Sequence, residues 1–132
     1  MSNITITQEK TAGGLPYTKV SVANGPFKSN ATEPNLVVEL KREMVSLERS
    51  HLRDKPVVIN LSGAEEADSK GISTLIWLHK EIFKPAPAKW PICFILSQQM
   101  WTTLREFSLL PVILCFTDEE EFRNDYEKNA PI

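Results

Sequence analysis

Hydrophobic and polar residues alternate in two short stretches near the N-terminus. These are residues 4–7 (Ile-Thr-Ile-Thr) and 17–22 (Tyr-Thr-Lys-Val-Ser-Val), and Gly13-Gly14 lies between them. Strict alternation is typical of strands with one buried face, and a glycine pair between two such stretches favours a turn. We therefore predict an N-terminal hairpin, followed by a polar loop after Gly25-Pro26.

The next segment has helical periodicity. Apolar residues recur there at steps of four, four and three, at Leu36, Leu40, Met44 and Leu47. This spacing predicts one apolar stripe on a helix that runs to about Ser50. Thr32 is the predicted N-cap, and Pro34 falls in the first turn, where its missing N–H costs nothing.

Three nearly continuous apolar runs follow, over Val57–Leu61, Ile92–Leu96 and Val112–Phe116. Runs of this kind are typical of parallel strands that are buried on both faces. We expect a core that includes residues from these strands and from the helix after the first of them: Val58, Ile59, Leu61, Ile76, Phe94 and Leu114.

Helical patterns separate and follow the runs. The first has an apolar face of Ile72, Leu75, Ile76, His79, Ile82 and Phe83. Ser97 is the predicted cap of the second, whose apolar residues are Met100, Leu104 and Phe107. Thr117-Asp-Glu-Glu120 has the form of a capping box and opens a last helix, with Phe122 and Tyr126 facing inward.

The predicted order is β-β-α-β-α-β-α-β-α. Strands that alternate with helices imply parallel crossovers, and the initial hairpin adds an antiparallel edge. With 132 residues, the chain is long enough for one sizeable core. The sequence therefore predicts a single α/β domain over residues 1–132, with a mixed sheet of about five strands.

Composition narrows the possible partners and compartment. A net charge of −2 gives no electrostatic basis for binding nucleic acid. The sequence has no apolar run long enough to insert in a membrane and no signal-peptide pattern at its start. Cys93 and Cys115 fall within apolar runs, which favours buried thiols in a reducing, cytoplasmic compartment.

The residues that could carry catalysis are poorly arranged for it. Ser69 and His79 are ten positions apart, about 15 Å along a helix, so a triad with Asp68 cannot form. No phosphate-binding glycine loop is present, and the histidines and cysteines lack zinc-site spacing. Glu65, Glu66 and Asp68 could hold a divalent cation, although a solvated acidic loop is the more common use of such a cluster. We expect neither enzymatic activity nor a cofactor.

Two residues have alternative interpretations. Ser69 stands at the predicted start of a helix, where it is either a simple N-cap or a site at which phosphate would change the surface charge. Trp77 lies beside the apolar face of the same helix. It belongs either to a partner-binding surface, where Trp is common, or to a wide buried face.

Several segments together resemble the STAS domain, the family of anti-sigma factor antagonists and of sulphate transporter tails. The similar segments are residues 31–40 (ATEPNLVVEL), 57–63 (VVINLSG), 68–71 (DSKG) and 96–110 (LSQQMWTTLREFSLL). The resemblance spans about residues 4–125. It implies a mixed sheet with helices mainly on one face and a function in binding partner proteins.

In antagonists of this family, a cognate serine kinase phosphorylates a hydroxyl after the family aspartate, and the complex is released. The resemblance assigns Asp68 to that aspartate, Ser69 to the hydroxyl and Gly71 to the helix-opening glycine. Lys70 stands where many antagonists have a second Ser or Thr, and Glu66 stands where an apolar or aromatic residue is usual.

The resemblance implies a regulatory module that binds a kinase or anti-sigma factor and is gated at Ser69. An alternative is a permanently bound, unphosphorylated subunit of a lipid-transport or scaffold assembly, which Lys70 favours. In either case the expected partner-binding residues are Glu65, Glu66, Asp68, Ser69, Lys70, Gly71 and Trp77.

Overall fold

The computed structural model describes residues 3–28, 35–49, 56–78, 92–106 and 114–129. Within these ranges the strands are β1 (Ile4–Lys10), β2 (Pro16–Val22), β3 (Gly25–Phe27), β4 (Val57–Leu61), β5 (Ala64–Ala67), β6 (Ile92–Leu96) and β7 (Leu114–Phe116). The helices in the same ranges are α1 (Leu36–Arg49), α2 (Ser69–Trp77), α3 (Gln98–Glu106) and α4 (Glu119–Asn129). None of these helices has the length and apolar character needed to cross a membrane.

Five strands form one mixed sheet in the order β1-β2-β4-β6-β7. Strands β1 and β2 are antiparallel, with Ile6 opposite Val20, whereas β2, β4, β6 and β7 run parallel to one another. The predicted α/β class, the hairpin at one edge and the parallel crossovers are therefore confirmed.

The two central strands bury side chains on both faces of the sheet. On one face Val57, Ile59 and Leu61 join a core that also takes residues from α1, α2 and α3. On the other face Val58 and Ile95 pack against α4. Three of the described helices thus cover one face of the sheet, and one helix covers the other.

The predicted core is largely confirmed. Four of its members are fully buried: Val58, Ile59, Leu61 and Phe94. Ile76 is only half-buried, because Ile72 and Leu75 of α2 and Leu78 directly after it point into the core, and Ile76 lies at the margin of that stripe. The side chains of Leu47 and Leu114 lie outside the described residues, as do His79, Ile82, Phe83, Phe107 and Val112.

Helix caps follow the prediction at one helix and differ at others. Ser97 caps α3, since its Oγ accepts a hydrogen bond from Met100 N at 3.2 Å. For α1, Asn35 Oδ1 accepts from Val38 N at 3.1 Å, so Asn35 occupies the cap position; Thr32 and Pro34 lie outside the described residues.

At α4 the predicted capping box is shifted by one residue. Asp118 Oδ1 accepts from Glu121 N at 2.8 Å, so Asp118 is the cap in place of Thr117. Glu121 reaches back to accept from the Thr117 hydroxyl at 2.9 Å. An aspartate caps a helix at least as well as a threonine, so α4 can begin one residue later than predicted without loss of a good cap.

Strands β3 and β5 form a separate two-stranded parallel sheet, in place of two predicted loops. Gly25 is opposite Ala64, and Phe27 is opposite Ala67. The Ser97 hydroxyl donates to the Ala64 carbonyl at 2.6 Å, and Phe27 and Ala64 are buried. Local propensity is low in the Ala-Glu-Glu-Ala segment, so backbone pairing and contacts with α3 decide its conformation.

Cys93 and Cys115 are not joined by a disulfide and lie in neighbouring strands. The prediction of buried thiols is confirmed for Cys93, whereas Cys115 is only half-buried. They belong to opposite faces of the sheet, since Cys93 packs in the α4 cluster and Cys115 against the cluster of α1–α3. Burial is the main cause that raises the pKa of each thiol to about 12. Both are therefore thiols with little thiolate near neutral pH.

A polar network joins α4 to β2 on the α4 face of the sheet. The Tyr17 hydroxyl donates to Glu119 and accepts from Arg123 Nε at 2.7 Å. Lys19 Nζ lies 2.7 Å from the other carboxylate oxygen of Glu119. Burial and the hydrogen bond to Glu119 raise the pKa of Tyr17 to about 12.

Burial alone would raise the pKa of Glu119, but its neighbours reverse the direction. Hydrogen bonds from Lys19 and Tyr17, together with the charges of Lys19 and Arg123, hold the pKa of Glu119 below its ordinary value of 4.5. The folded state therefore favours the ionised carboxylate more than the unfolded state does.

We expect Ile59→Ala to lower the free energy of unfolding by about 2–5 kcal/mol, because it leaves a cavity at a fully buried position of β4. Val38→Ala is the matched control, since Val38 is 46% exposed and its truncation should cost less than about 0.5 kcal/mol. Denaturant titration measures both. A loss below about 1 kcal/mol for Ile59→Ala would contradict the position of β4 in the core.

Glu119→Gln should lower the thermal midpoint at neutral pH and reduce its dependence on acid. The ionised Glu119 stabilises the fold above pH 4.5, and this contribution is lost as the pH falls through the lower pKa of the folded state. Calorimetric scans at neutral and acidic pH test this, with the exposed Glu120→Gln as control. Equal acid sensitivity in the Glu119→Gln variant and the wild type would argue against the network.

Candidate functional site at the first turn of α2

Asp68 fixes the beginning of α2. It has an extended backbone, and its Oδ1 accepts a hydrogen bond from Gly71 N at 2.7 Å. The Asp68 carbonyl also accepts from Ile72 N at 3.1 Å. The side-chain contact satisfies a donor that the helix N-terminus would otherwise leave unpaired, and the carbonyl contact is the first backbone hydrogen bond of the helix. A carboxylate here is also favoured by the positive end of the helix dipole.

Ser69 is the first residue of α2 and is exposed. The interpretation of Ser69 as an N-cap is wrong, because Asp68 holds that position. Within the described part of the chain, the Ser69 hydroxyl makes no hydrogen bond, whereas its carbonyl accepts from the Ser73 hydroxyl at 2.8 Å. The side chain therefore has no role in holding the helix and is open to chemical change.

Gly71 allows the first turn of α2 to lie directly against β3. A Cβ atom at this position would lie 2.4 Å from the Phe27 carbonyl oxygen and 3.1 Å from Phe27 Cδ2. The carbonyl belongs to a paired strand, so it cannot easily move. The requirement for glycine at position 71 is thus steric: α2 and β3 approach more closely than any side chain permits.

Lys70 and Trp77 lie on the face of α2 that meets α1. They line a shallow groove of about 350 Å³, here named the α1–α2 groove, with Val37, Val38, Lys41 and Thr74. Lys41 Nζ lies 5.1 Å from the centre of the Trp77 ring, a cation–π distance. Trp77 is half-buried and packs partly on the core. The interpretation of Trp77 as part of a wide buried face is therefore confirmed in part, and its role in a partner-binding surface stays a prediction.

Glu65 and Glu66 are exposed residues of β5 and face a different surface. They line an acidic depression of about 460 Å³ between β5 and α3, with Gln98, Gln99, Thr102 and Glu106. Glu66 forms an ion pair with Lys28 at 2.9 Å, although both side chains are solvated and such pairs contribute little stability. In the described ranges, no group of three or more His, Cys, Asp or Glu side chains is arranged to hold a metal ion.

The predicted site residues therefore divide between two surfaces. Lys70 and Trp77 belong to the basic and apolar groove, and Glu65 and Glu66 belong to the acidic depression. Asp68 connects β5 to α2, and Ser69 is the first residue of α2. His79, which the excluded catalytic triad would have required, lies outside the described residues.

Sequence reasoning missed the contribution of α1 and β3 to this site. Val38 gave a usable signal, because it is an apolar residue two positions away from the predicted stripe at Leu36 and Leu40. It is the large hydrophobic residue that the structure leaves most exposed within the described ranges, at 46%. No pattern in the sequence indicates a comparable role for Phe27 or Lys41.

Comparison of the chain with models of known protein families gives no match, and comparison with curated proteins gives none either.

We expect Gly71→Ala to destabilise the protein, although glycine-to-alanine changes inside helices usually stabilise by about 1 kcal/mol. The added methyl would meet the Phe27 carbonyl at 2.4 Å, and relief of that overlap should cost about 1–3 kcal/mol. Ser73→Ala is the control on the exposed side of the same helix. Denaturant unfolding shows whether the free energy of unfolding falls or rises. A rise for Gly71→Ala would contradict the close approach of α2 and β3.

Proposed function

We propose that this chain is a STAS-type regulatory module that binds a cognate serine kinase or anti-sigma factor and is gated by phosphorylation at Ser69. It acts by binding, in this proposal, and performs no catalysis of its own. The site is the first turn of α2 with the two surfaces beside it. The proposal also assigns the module to the cytoplasm, where such partners act.

The exposed Ser69 hydroxyl on a fixed helix terminus is the observation that carries this proposal. Asp68 supplies the cap and Gly71 the close packing, so the Ser69 side chain contributes to neither. A kinase could reach the hydroxyl without unfolding the helix. The α/β fold with a mixed sheet and an antiparallel edge is also compatible with the family that the sequence resembles.

Phosphate at Ser69 would act on binding more than on folding. It adds about −1.5 to −2 charges at a helix N-terminus, where the dipole favours negative charge. The same charge changes the surface that a partner meets, between the acidic depression of Glu65 and Glu66 and the groove that Lys70 lines. A partner that docks there would have to desolvate the phosphate or would be repelled by it.

A permanently bound subunit of a transport or scaffold complex is the second candidate function. The α1–α2 groove favours it, because Val38 and Trp77 offer an apolar binding surface that does not include the Ser69 hydroxyl. Lys70 favours it as well, since it removes the second hydroxyl that many antagonists have. The two candidates differ in whether the state of Ser69 controls binding.

Ser69→Asp should weaken capture of the partner at least tenfold, or about 1.4 kcal/mol, whereas Ser69→Ala should retain it. The measurement is a quantitative pull-down from native lysate with wild type and both variants, followed by mass spectrometry of the partner and of Ser69. Thermal midpoints of all variants should stay close to that of the wild type, because the cap is Asp68.

Asn124→Asp is the matched control, since it adds one negative charge at an exposed position of α4 on the other face of the sheet. It should leave capture unchanged. If wild type, Ser69→Asp and Ser69→Ala capture the same partner equally and Ser69 carries no phosphate, the permanently bound subunit is the better account.

A further inference from the structure

The α1–α2 groove combines an apolar floor with two exposed cations. Val37, Val38 and Trp77 supply the apolar contact, and Lys41 and Lys70 contribute one positive charge from each helix. Charged and apolar side chains therefore line the same groove of about 350 Å³. This combination is suited to a ligand that has an apolar ridge flanked by carboxylates.

We propose that the α1–α2 groove binds an acidic amphipathic helix of a partner protein. Apolar side chains of that helix, spaced at i, i+4 and i+7, would lie against Val38 and Trp77. Its flanking Glu or Asp residues would pair with Lys41 and Lys70. This proposal specifies the segment of the partner that the proposed function requires. It rests on the proposed function only in assuming that the partner is a protein.

Trp77 and Lys41 give the groove a prearranged form. The Lys41 ammonium lies 5.1 Å from the centre of the Trp77 ring, a distance at which cation–π attraction favours this arrangement of the two side chains. An ordered aromatic ring loses little conformational entropy on binding, which favours its use as an anchor. A carboxylate brought to Lys41 would pair with an ammonium that is already positioned over the ring.

Charge argues against an occupant from this chain. Residues 79–91, which follow α2 and lie outside the described ranges, carry three lysines against one glutamate, and residues 29–34 carry one glutamate and a proline. Neither stretch has the excess of acidic residues that pairing with Lys41 and Lys70 requires. The acidic helix α4 of a second copy is also unsuitable, because it buries its apolar residues Phe122 and Tyr126 in its own core.

An anionic membrane is a weaker candidate for the same surface. Recognition of anionic lipid usually requires a cluster of about four to eight basic residues, and this groove has two. The groove is also concave, which suits a helix better than a lipid surface. We therefore treat membrane binding as an outcome that the experiment must be able to detect.

The groove extends toward the proposed regulatory serine. Ser73 lines the groove and donates its hydroxyl proton to the Ser69 carbonyl one turn earlier, so Ser69 lies at the N-terminal end of the same helix surface. A phosphate at Ser69 would then repel an acidic helix more strongly than a neutral one. With an acidic partner segment, phosphorylation of Ser69 would weaken binding, and removal of the phosphate would restore it.

Two fluorescent synthetic helices of about 18 residues, long enough to be helical in water, serve as probes. They share one Leu face and differ only in carrying Glu or Lys on its flanks. Fluorescence anisotropy with the full chain should show binding at least tenfold tighter for the Glu helix. The double variant Lys41→Glu/Lys70→Glu should lose that binding at least tenfold and favour the Lys helix.

Lys10→Glu/Lys128→Glu is the matched control, because it makes the same charge change at exposed residues of β1 and α4. It should leave the affinity for the Glu helix within about twofold, since charges beyond a Debye length are screened. Val38→Ser should weaken that affinity without loss of fold, because Val38 is 46% exposed. This variant tests the apolar contact separately from the charges.

The proposal is overturned if neither helix binds or if both bind equally. It is also overturned if Lys41→Glu/Lys70→Glu and Lys10→Glu/Lys128→Glu change the affinity for the Glu helix by the same factor. Binding to phosphatidylserine vesicles that depends on Lys41 and Lys70, without preference for the Glu helix, would also overturn it. Failure of the gating proposal looks different. In that case the Glu helix binds through Lys41 and Lys70, and Ser69→Asp has no effect on its affinity.

Discussion

Strands β4 and β6 have no face that can be left in water, and the arrangement of the described helices follows from this constraint. Every residue of β6 is buried, and β4 buries all but Asn60. Helices α1, α2 and α3 remove one face of the sheet from water, and α4 removes the other. In this layering α2 packs against α1 and β5, and its first turn lies against Phe27 of β3, so the site at that turn depends on its placement in the layer.

Prediction from sequence succeeded where burial imposes a pattern. The continuous runs at residues 57–61 and 92–96 specify buried parallel strands, and alternation at residues 17–22 specifies a strand. Prediction was wrong about the exposure of that strand, because Tyr17 packs against α4, Thr18 is also fully buried, and Lys19 and Ser21 are half-buried. It failed at Gly25–Phe27 and Ala64–Ala67, which are too short for periodicity and too poor in strand-forming residues. Their structure comes from pairing with each other and from contacts with α1 and α3, which no local pattern contains.

The position of the candidate site in the chain could be predicted from the sequence, but the arrangement of its side chains could not. Asp68, Ser69 and Gly71 stand together in the sequence, and they form one helix turn in the structure. Which of the adjacent polar residues caps the helix depends on where the chain leaves β5, so Asp68 could not be chosen over Ser69 in advance. Lys41 and Val38 come from α1, some thirty residues earlier, and only the packing of α1 against α2 brings them to Lys70 and Trp77.

The network of Tyr17, Glu119 and Arg123 also bears on how the chain reaches its folded state. Tyr17 donates a hydrogen bond to Glu119, 102 positions away, and accepts one from Arg123, 106 positions away, so these contacts close a loop that is most of the chain. Contacts of such long range form late, because the entropy of loop closure is lost before the contact is gained. Among the described helices, α4 is the one that covers the face carrying Val58 and Ile95, so none of them shields that face during synthesis until α4 has been made. A nascent chain arrested before α4 would present that apolar face to chaperones and to other chains.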